Sequence, residues 1–117
     1  MNILPDQSVL LTKLMDVSEL RHSVISHNLA NVNTPGYHRL EVAFGEMFEE
    51  VQQSDQPGQV NLLPTVREEE GLQARADGNN VDIDREAVQL EKNALSYQAY
   101  LQILTAQVNM MRKAVEG

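Results

Sequence analysis

The fold is decided by residues 85–116, which read REAVQLEKNALSYQAYLQILTAQVNMMRKAVE and contain neither glycine nor proline. Apolar residues alternate at spacings of three and four, which is the coiled-coil repeat. This spacing predicts a single helix roughly 45 Å long, with Asp84 as its N-cap. So long a helix does not fit the core of a 117-residue globule and needs a partner along its length. The repeat comprises Ala87, Leu90, Ala94, Tyr97, Leu101, Leu104, Val108, Met111 and Val115.

A second helix is predicted near the N-terminus, from about Ser8 to Asn31, because apolar residues recur there at helical spacing. It must stop before Thr34 and Pro35, since proline disfavours the helical conformation in the residue before it. We expect the two terminal helices to pair antiparallel or nearly so, and then to pack against those of neighbouring subunits. The seam residues predicted for this packing are Leu10, Leu14, Val17, Val24, Leu90, Tyr97, Leu101, Leu104, Val108 and Met111.

The middle of the chain has no sustained helical period and is punctuated by glycine and proline. Residues 59–66 and 72–76 could pair there as a short β-hairpin. The fold class predicted is mainly α, with long N- and C-terminal helices packed as a coiled-coil-like hairpin around an irregular middle. The chain then divides into residues 1–37, an acidic segment 38–83 and the helical segment 84–117, which form one structural unit.

Charge excludes several kinds of partner. The net charge is −8, and thirteen of the seventeen acidic residues lie between residues 41 and 91. A nucleic-acid backbone and an anionic membrane surface both require a basic face, so we expect neither as a partner. The apolar runs are too short for a membrane span. Residues 1–12 hold no lysine or arginine, so we expect no cleaved secretory signal.

The sequence offers no support for an enzyme. It has no cysteine, and none of the glycine-rich nucleotide motifs or the nucleophile-elbow pattern occurs. His22 and His27 are five residues apart and do not share a helical face, whereas zinc-binding pairs on helices are spaced by three or four. An enzyme that uses His22, His27 or His38 is therefore the weakest alternative. We predict no catalytic, cofactor-binding or metal site and no small-molecule substrate.

One short motif combines a helix end with a turn. Three asparagines fall within six residues, and asparagine tolerates the left-handed conformation that ends helices. Proline and glycine then fit the two central positions of a type II turn. Two of the asparagines, Asn28 and Asn31, continue the seam of the N-terminal helix, where a polar residue fixes register at a cost in stability. The motif comprises Asn28, Leu29, Ala30, Asn31, Val32, Asn33, Thr34, Pro35, Gly36 and Tyr37.

This decapeptide resembles the N-terminal motif of bacterial flagellar rod and hook proteins, in which an Asn-x-x-Asn helix end runs into Thr-Pro-Gly-Tyr. Residues 77–86 (DGNNVDIDRE) and 93–98 (NALSYQ) are similar to the C-terminal signature of a short member of that family from the proximal rod. Residues 41–70 add nothing to the resemblance. The resemblance therefore anchors both ends of the chain.

The resemblance implies a structural subunit of the flagellar basal body. Such proteins polymerise with copies of themselves and with other rod proteins into a drive shaft across the periplasm, and their terminal helices form its inner tube. They are exported through the flagellar type III apparatus without a cleaved signal, and they have no enzyme activity or cofactor. The alternative from another class is a soluble helical adaptor or secretion chaperone, which would be a compact dimer that stays in the cytoplasm.

Overall fold

Two long helices dominate the computed structural model, which describes residues 6–44 and 63–117. Helix α1 spans Asp6–Ala30, strand β1 Leu40–Ala43, strand β2 Thr65–Glu68 and helix α2 Ile83–Glu116. The predicted fold class is confirmed, since the chain is mainly helical with a small antiparallel sheet in its middle. Within the described ranges, neither helix is long and apolar enough to cross a bilayer.

The helices run antiparallel, as predicted. Near one end of the pair, Ser8 Oγ donates a hydrogen bond to Gln107 Oε1 at 2.5 Å. Near the other end, Asn28 Nδ2 lies 3.4 Å from Glu86 Oε2. Because the two contacts join the start of α1 to the late part of α2, and the end of α1 to the start of α2, the helices are side by side along most of α1.

Asp82 caps α2, so the predicted Asp84 cap is wrong. Asp82 has an extended backbone (φ −108°, ψ 115°), and its Oδ1 accepts from the backbone N of Asp84 at 3.0 Å and of Arg85 at 3.4 Å. Val81 just before it is buried, with 3% of its surface exposed. This anchor fixes where the extended chain ends, and the next aspartate is therefore the one in capping position.

The sheet pairs different segments from those predicted. Strand β2 pairs antiparallel with β1, with Leu40 opposite Glu68 and Ala43 opposite Thr65. The predicted pairing with residues 72–76 is wrong, and residues 59–62 of that prediction lie outside the described residues. β2 pairs with β1 and not with residues 72–76 because the apolar side chains of the β1 segment have a surface to pack on. Phe44 and Val17 of α1 form a buried cluster, joined by Leu10, Leu14 and Val42.

Candidate assembly site

Polar side chains of α2 form hydrogen bonds with α1. Asn93 Nδ2 donates to the carbonyl O of Ser18 at 2.6 Å, and this side chain and that of Glu86 are buried. Gln107 accepts from Ser8, while Tyr100 is half-buried. These residues are seven apart and so share one helical face. We call this face the α1-facing row: Glu86, Asn93, Tyr100 and Gln107.

The predicted seam of α2 divides into two sets. Leu90, Tyr97, Leu104 and Met111 are half-buried beside the α1-facing row. Leu101 and Val108 are instead 45% and 44% exposed. They belong to a row of residues seven apart that are all exposed, which we call outer row A: Ala87, Ala94, Leu101, Val108 and Val115.

The predicted seam of α1 lies against the sheet as well as against α2. Val17 and Val24 are buried, and Leu10 and Leu14 are half-buried. Leu10, Leu14 and Val17 pack in the cluster that contains Phe44. The apolar face of α1 therefore helps to hold the sheet. A role of these residues in contacts with neighbouring subunits stays a prediction.

Asn28, the first residue of the motif, is fully buried. Its Nδ2 donates to the carbonyl O of Leu40 at 2.9 Å, and its Oδ1 accepts from the backbone N of Leu40 at 3.0 Å. The hydroxyl of Tyr37 also donates to this Oδ1, at 2.8 Å. Burial, and then the negative charge of Glu86, raise the pKa of Tyr37, so the hydroxyl keeps the proton that it donates.

The rest of the motif forms the predicted turn. The backbone N of Tyr37 donates to the carbonyl O of Thr34 at 3.2 Å, and Gly36 has a φ of 75°, as a type II turn requires. Asn31 Nδ2 donates to the carbonyl O of His27 at 2.8 Å, and its Oδ1 accepts from Thr34 Oγ1 at 3.1 Å. Of the remaining members, Leu29 and Val32 are half-buried, and Ala30, Asn33 and Pro35 are exposed.

Asn79, far along the chain, completes the end of α1. Its buried Nδ2 donates to the carbonyl O of Asn31 at 2.8 Å, of Val32 at 3.1 Å and of Thr34 at 2.9 Å. These carbonyls follow the last helical turn and have no helical partner, so a side chain from the turn before α2 satisfies them. The same two turns touch at Gly36 and Gly78, where an added Cβ on Gly78 would lie 3.3 Å from the Cα of Gly36.

A chain of ion pairs joins the sheet to the start of α2. Arg39 Nε donates to Glu86 Oε1, and Arg39 Nη1 donates to Glu69 Oε2 at 2.5 Å. Glu69 Oε1 also accepts from Arg85 Nη2 at 2.8 Å. Burial alone would raise the pKa of Glu69. The hydrogen bonds and positive charges of Arg85 and Arg39 outweigh burial, so the pKa lies below its ordinary value.

Sequence reasoning missed the residues on which this junction depends. Arg39 and Glu86 are buried, although an acid in the first turn of a helix is ordinarily a solvated residue that favours the helix dipole. Asn79 is not among the predicted site residues. One signal was available, since Glu86 lies seven residues before Asn93 and so extends a polar row.

The arrangement is suited to holding elements in register. Amides and charged groups of α1, the sheet and α2 bind one another. In the described part of the chain, the hydroxyl of Ser18 is buried without a hydrogen-bond partner. Among the described residues, no group of three or more His, Asp or Glu side chains could hold a metal ion. The exposed apolar surface of α2 is the part of the site that faces outwards.

Comparisons with known proteins converge on one family. A family model described as "Flagella basal body rod protein" matches residues 20–38. The flagellar basal body rod protein FlgB of Escherichia coli K12 is 30% identical over 115 residues, which cover 83% of each chain. FlgB of Aquifex aeolicus is 30% identical over 123 residues, covering 92% of this chain and 91% of the relative. FlgB of Aeromonas hydrophila is 28% identical over 120 residues, covering 88% and 87%.

Proposed function

The chain belongs to the FlgB family of flagellar basal body rod proteins, and on that premise we propose that it polymerises through its terminal helices into the drive shaft. It is a structural component of the basal body rod. Its partners are further copies of itself and other rod proteins, and its site of action is the periplasmic part of the flagellum.

The exposure of outer row A is the observation that carries this proposal. Leu101 and Val108 belong to the coiled-coil repeat of α2, yet 45% and 44% of their surfaces are exposed. They adjoin the half-buried Leu104 and Met111, so the apolar surface continues from the α1 contact to the outside of the hairpin. Burial of each such side chain against a neighbour is worth about 1.5–3 kcal/mol when complete, and a neighbouring subunit would supply that burial.

The proposed function also covers how the chain is exported and whether it is an enzyme. We infer export through the flagellar type III apparatus without a cleaved signal, in keeping with the resemblance of both ends of the chain to axial proteins. We infer no enzyme activity, since the relatives are named as rod proteins and the buried polar groups of this chain bind its own elements together.

Incorporation into basal bodies tests the proposal. In the source bacterium, the wild-type chain is replaced by the Leu101→Asp variant or by the Gln102→Asp variant. Both positions are exposed and both variants gain one negative charge, but Gln102 is polar and lies outside outer row A. We expect Leu101→Asp to lower the amount of the chain in isolated basal bodies, and motility with it, at least tenfold. Gln102→Asp should leave both close to wild type.

Expression and cell fractionation are measured alongside. Equal incorporation of the two variants would contradict assembly through this face of α2. If the wild-type chain were recovered as a compact cytoplasmic dimer and were absent from basal bodies, the adaptor alternative would be favoured instead.

A further inference from the structure

A small cavity opens where α1, the sheet and the start of α2 meet, and we call it the three-element cavity. Its volume is about 240 Å³, which is below the roughly 300–1,000 Å³ of a typical small-molecule site and suits the end of a single side chain. Part of its wall is apolar and includes Val24 and Leu40. The charged side chains in its wall are Arg21, Arg39, Glu41 and Arg85.

Three of these four charged side chains have partners within the chain. The ion pairs at the start of α2 hold both Arg39 and Arg85. Glu41 lines the same cavity, but it accepts a hydrogen bond from Nε of Arg67, its neighbour across the sheet, at 2.9 Å. The carboxylate of Glu41 is therefore already bound by another cation.

Arg21 is the exception. It is half-buried on α1, and its guanidinium makes no hydrogen bond or ion pair in the described part of the chain. Arg39, Arg67, Arg75 and Arg85 each form an ion pair. The chain has seventeen acidic residues against nine basic ones, so a half-buried arginine without a carboxylate stands out. Because removing a charge from water costs free energy unless an opposite charge replaces the water, the cavity is incomplete in the single chain.

The balance of charge indicates what would complete the cavity. The other charges in its wall are neutralised within the chain, which leaves the single positive charge of Arg21. A planar guanidinium binds a carboxylate through two parallel hydrogen bonds, and the apolar part of the wall strengthens such a pair by lowering the local dielectric constant. A phosphate group carries about −1.5 to −2 and would leave an excess of negative charge.

We propose that the three-element cavity receives one aspartate or glutamate side chain from a neighbouring protein subunit of the rod, and that Arg21 binds its carboxylate. This inference rests on the proposed function and adds the chemistry of one contact to it. The contact differs from that of outer row A in kind and in place, because it is an ion pair made between α1, the sheet and the start of α2. It uses a charge that the single chain leaves unpaired, so it stabilises the assembly and not the isolated chain.

Removal of the charge tests the contact. In the isolated chain, Arg21→Gln breaks no hydrogen bond or ion pair, so we expect its urea midpoint to be no lower than that of wild type. In the source bacterium, we expect its incorporation into basal bodies to fall about tenfold or more, since it leaves the partner carboxylate unpaired. The matched control is Arg112→Gln, an exposed arginine near the end of α2, which should leave both measurements unchanged.

Two outcomes of this experiment would overturn the proposal. One is incorporation of Arg21→Gln equal to that of Arg112→Gln. The other is a fall in incorporation that a lowered urea midpoint accounts for, because Arg21 would then act only in the fold. Arg21→Lys keeps the positive charge and should restore incorporation at least in part. If it is incorporated no better than Arg21→Gln, the charge does not matter and the proposal is wrong.

Carbodiimide cross-linking identifies the group that Arg21 meets. The Arg21→Lys variant supplies an amine, and a water-soluble carbodiimide joins an amine to a carboxylate in contact with it while taking up the water that is lost. Basal bodies that contain this variant are treated and digested, and the cross-linked peptides are identified by mass spectrometry. Ser23→Lys, at an exposed position two residues further along α1, is the control.

We expect a cross-link from position 21 to an aspartate or glutamate of another subunit, absent from the isolated chain and from the Ser23→Lys control. A cross-link from position 21 to Glu41 or another acid of the same chain, formed in the isolated chain as well, would overturn the proposal. So would the absence of any cross-link from position 21 in basal bodies. Absence of the wild-type chain from basal bodies would instead overturn the proposed function itself, which keeps the two failures distinguishable.

Discussion

Asn28 and Leu40 exchange two hydrogen bonds, one from Nδ2 to the carbonyl O at 2.9 Å and one from the backbone N to Oδ1 at 3.0 Å. A side-chain amide on α1 thus takes the place that a neighbouring strand would have beside β1. The same amide reaches Glu86 of α2 at 3.4 Å. One residue therefore ties the end of α1 to the sheet and to the start of α2.

Replacement of Asn28 by aspartate should destabilise the fold strongly. A carboxylate cannot donate to the carbonyl of Leu40, and it would lie beside the buried carboxylate of Glu86. We expect Asn28→Asp to lower the free energy of unfolding by about 2–4 kcal/mol. Urea denaturation measures this, with the exposed Asn33→Asp as the matched control, expected within about 0.5 kcal/mol of wild type. Equal stabilities of the two variants would contradict the role given to Asn28.

Neutralisation of Glu86 should remove a buried ion-pair partner of Arg39. Glu86 is fully buried and accepts from Arg39 Nε, whereas Glu91, one turn further along α2, is exposed. Breaking a buried ion pair from one side costs about 3–5 kcal/mol; we expect Glu86→Gln to fall at the lower end, because Glu69 still pairs with Arg39. Thermal or urea unfolding checks this against Glu91→Gln. A Glu86→Gln protein as stable as that control would contradict a stabilising role of the ion pair between Arg39 and Glu86.

Acid should remove the stabilisation that Glu69 provides. The pKa of Glu69 is lower in the folded chain than its ordinary value of 4.5, because Arg85 and Arg39 outweigh the opposing effect of burial. Its contribution is therefore present above pH 4.5 and is lost as the pH falls from there through the lowered pKa. Unfolding free energies of wild type and Glu69→Gln should differ at pH 7 and converge on acidification. A difference that stayed constant from pH 7 to pH 3 would contradict this ion pair.

Gly78 should tolerate alanine less well than Gly71. Both have a positive φ, 84° and 83°, so both substitutions strain the backbone equally. A Cβ on Gly78 would also lie 3.3 Å from the Cα of Gly36, whereas one on Gly71 meets nothing within 4 Å. We expect Gly71→Ala to lower the free energy of unfolding by about 1 kcal/mol. Gly78→Ala should lower it further. Calorimetry of the pair isolates the contact between the two turns, and a smaller loss for Gly78→Ala would argue against it.

The helices and their turns could be predicted because they depend on local patterns. The three–four repeat of α2 and the proline that ends the N-terminal helix act within a few residues, and the turn at Gly36 follows from Pro35 and Gly36 themselves. The strand pairing could not be predicted, because four-residue strands are too short to show a distinctive alternation of apolar and polar residues. β1 is selected by the packing of Phe44 on Val17, which is a contact between distant segments.

The polar junction escaped prediction for a related reason. Asn79 caps carbonyls at the end of α1 that lie more than 40 residues earlier, and no local rule relates the two. The apolar repeat of α2 also concealed the α1-facing row. Glu86 and Asn93 contact α1, and the predicted Leu101 and Val108 are exposed, so the face of α2 that meets α1 is rotated away from outer row A.

Cryo-electron microscopy of isolated basal bodies, at a resolution that shows side chains, tests the central claim most directly. The account predicts that Leu101 and Val108, exposed in the single chain, are buried in the rod against a neighbouring subunit. A rod in which both side chains of this chain face solvent or an open lumen would contradict assembly through α2.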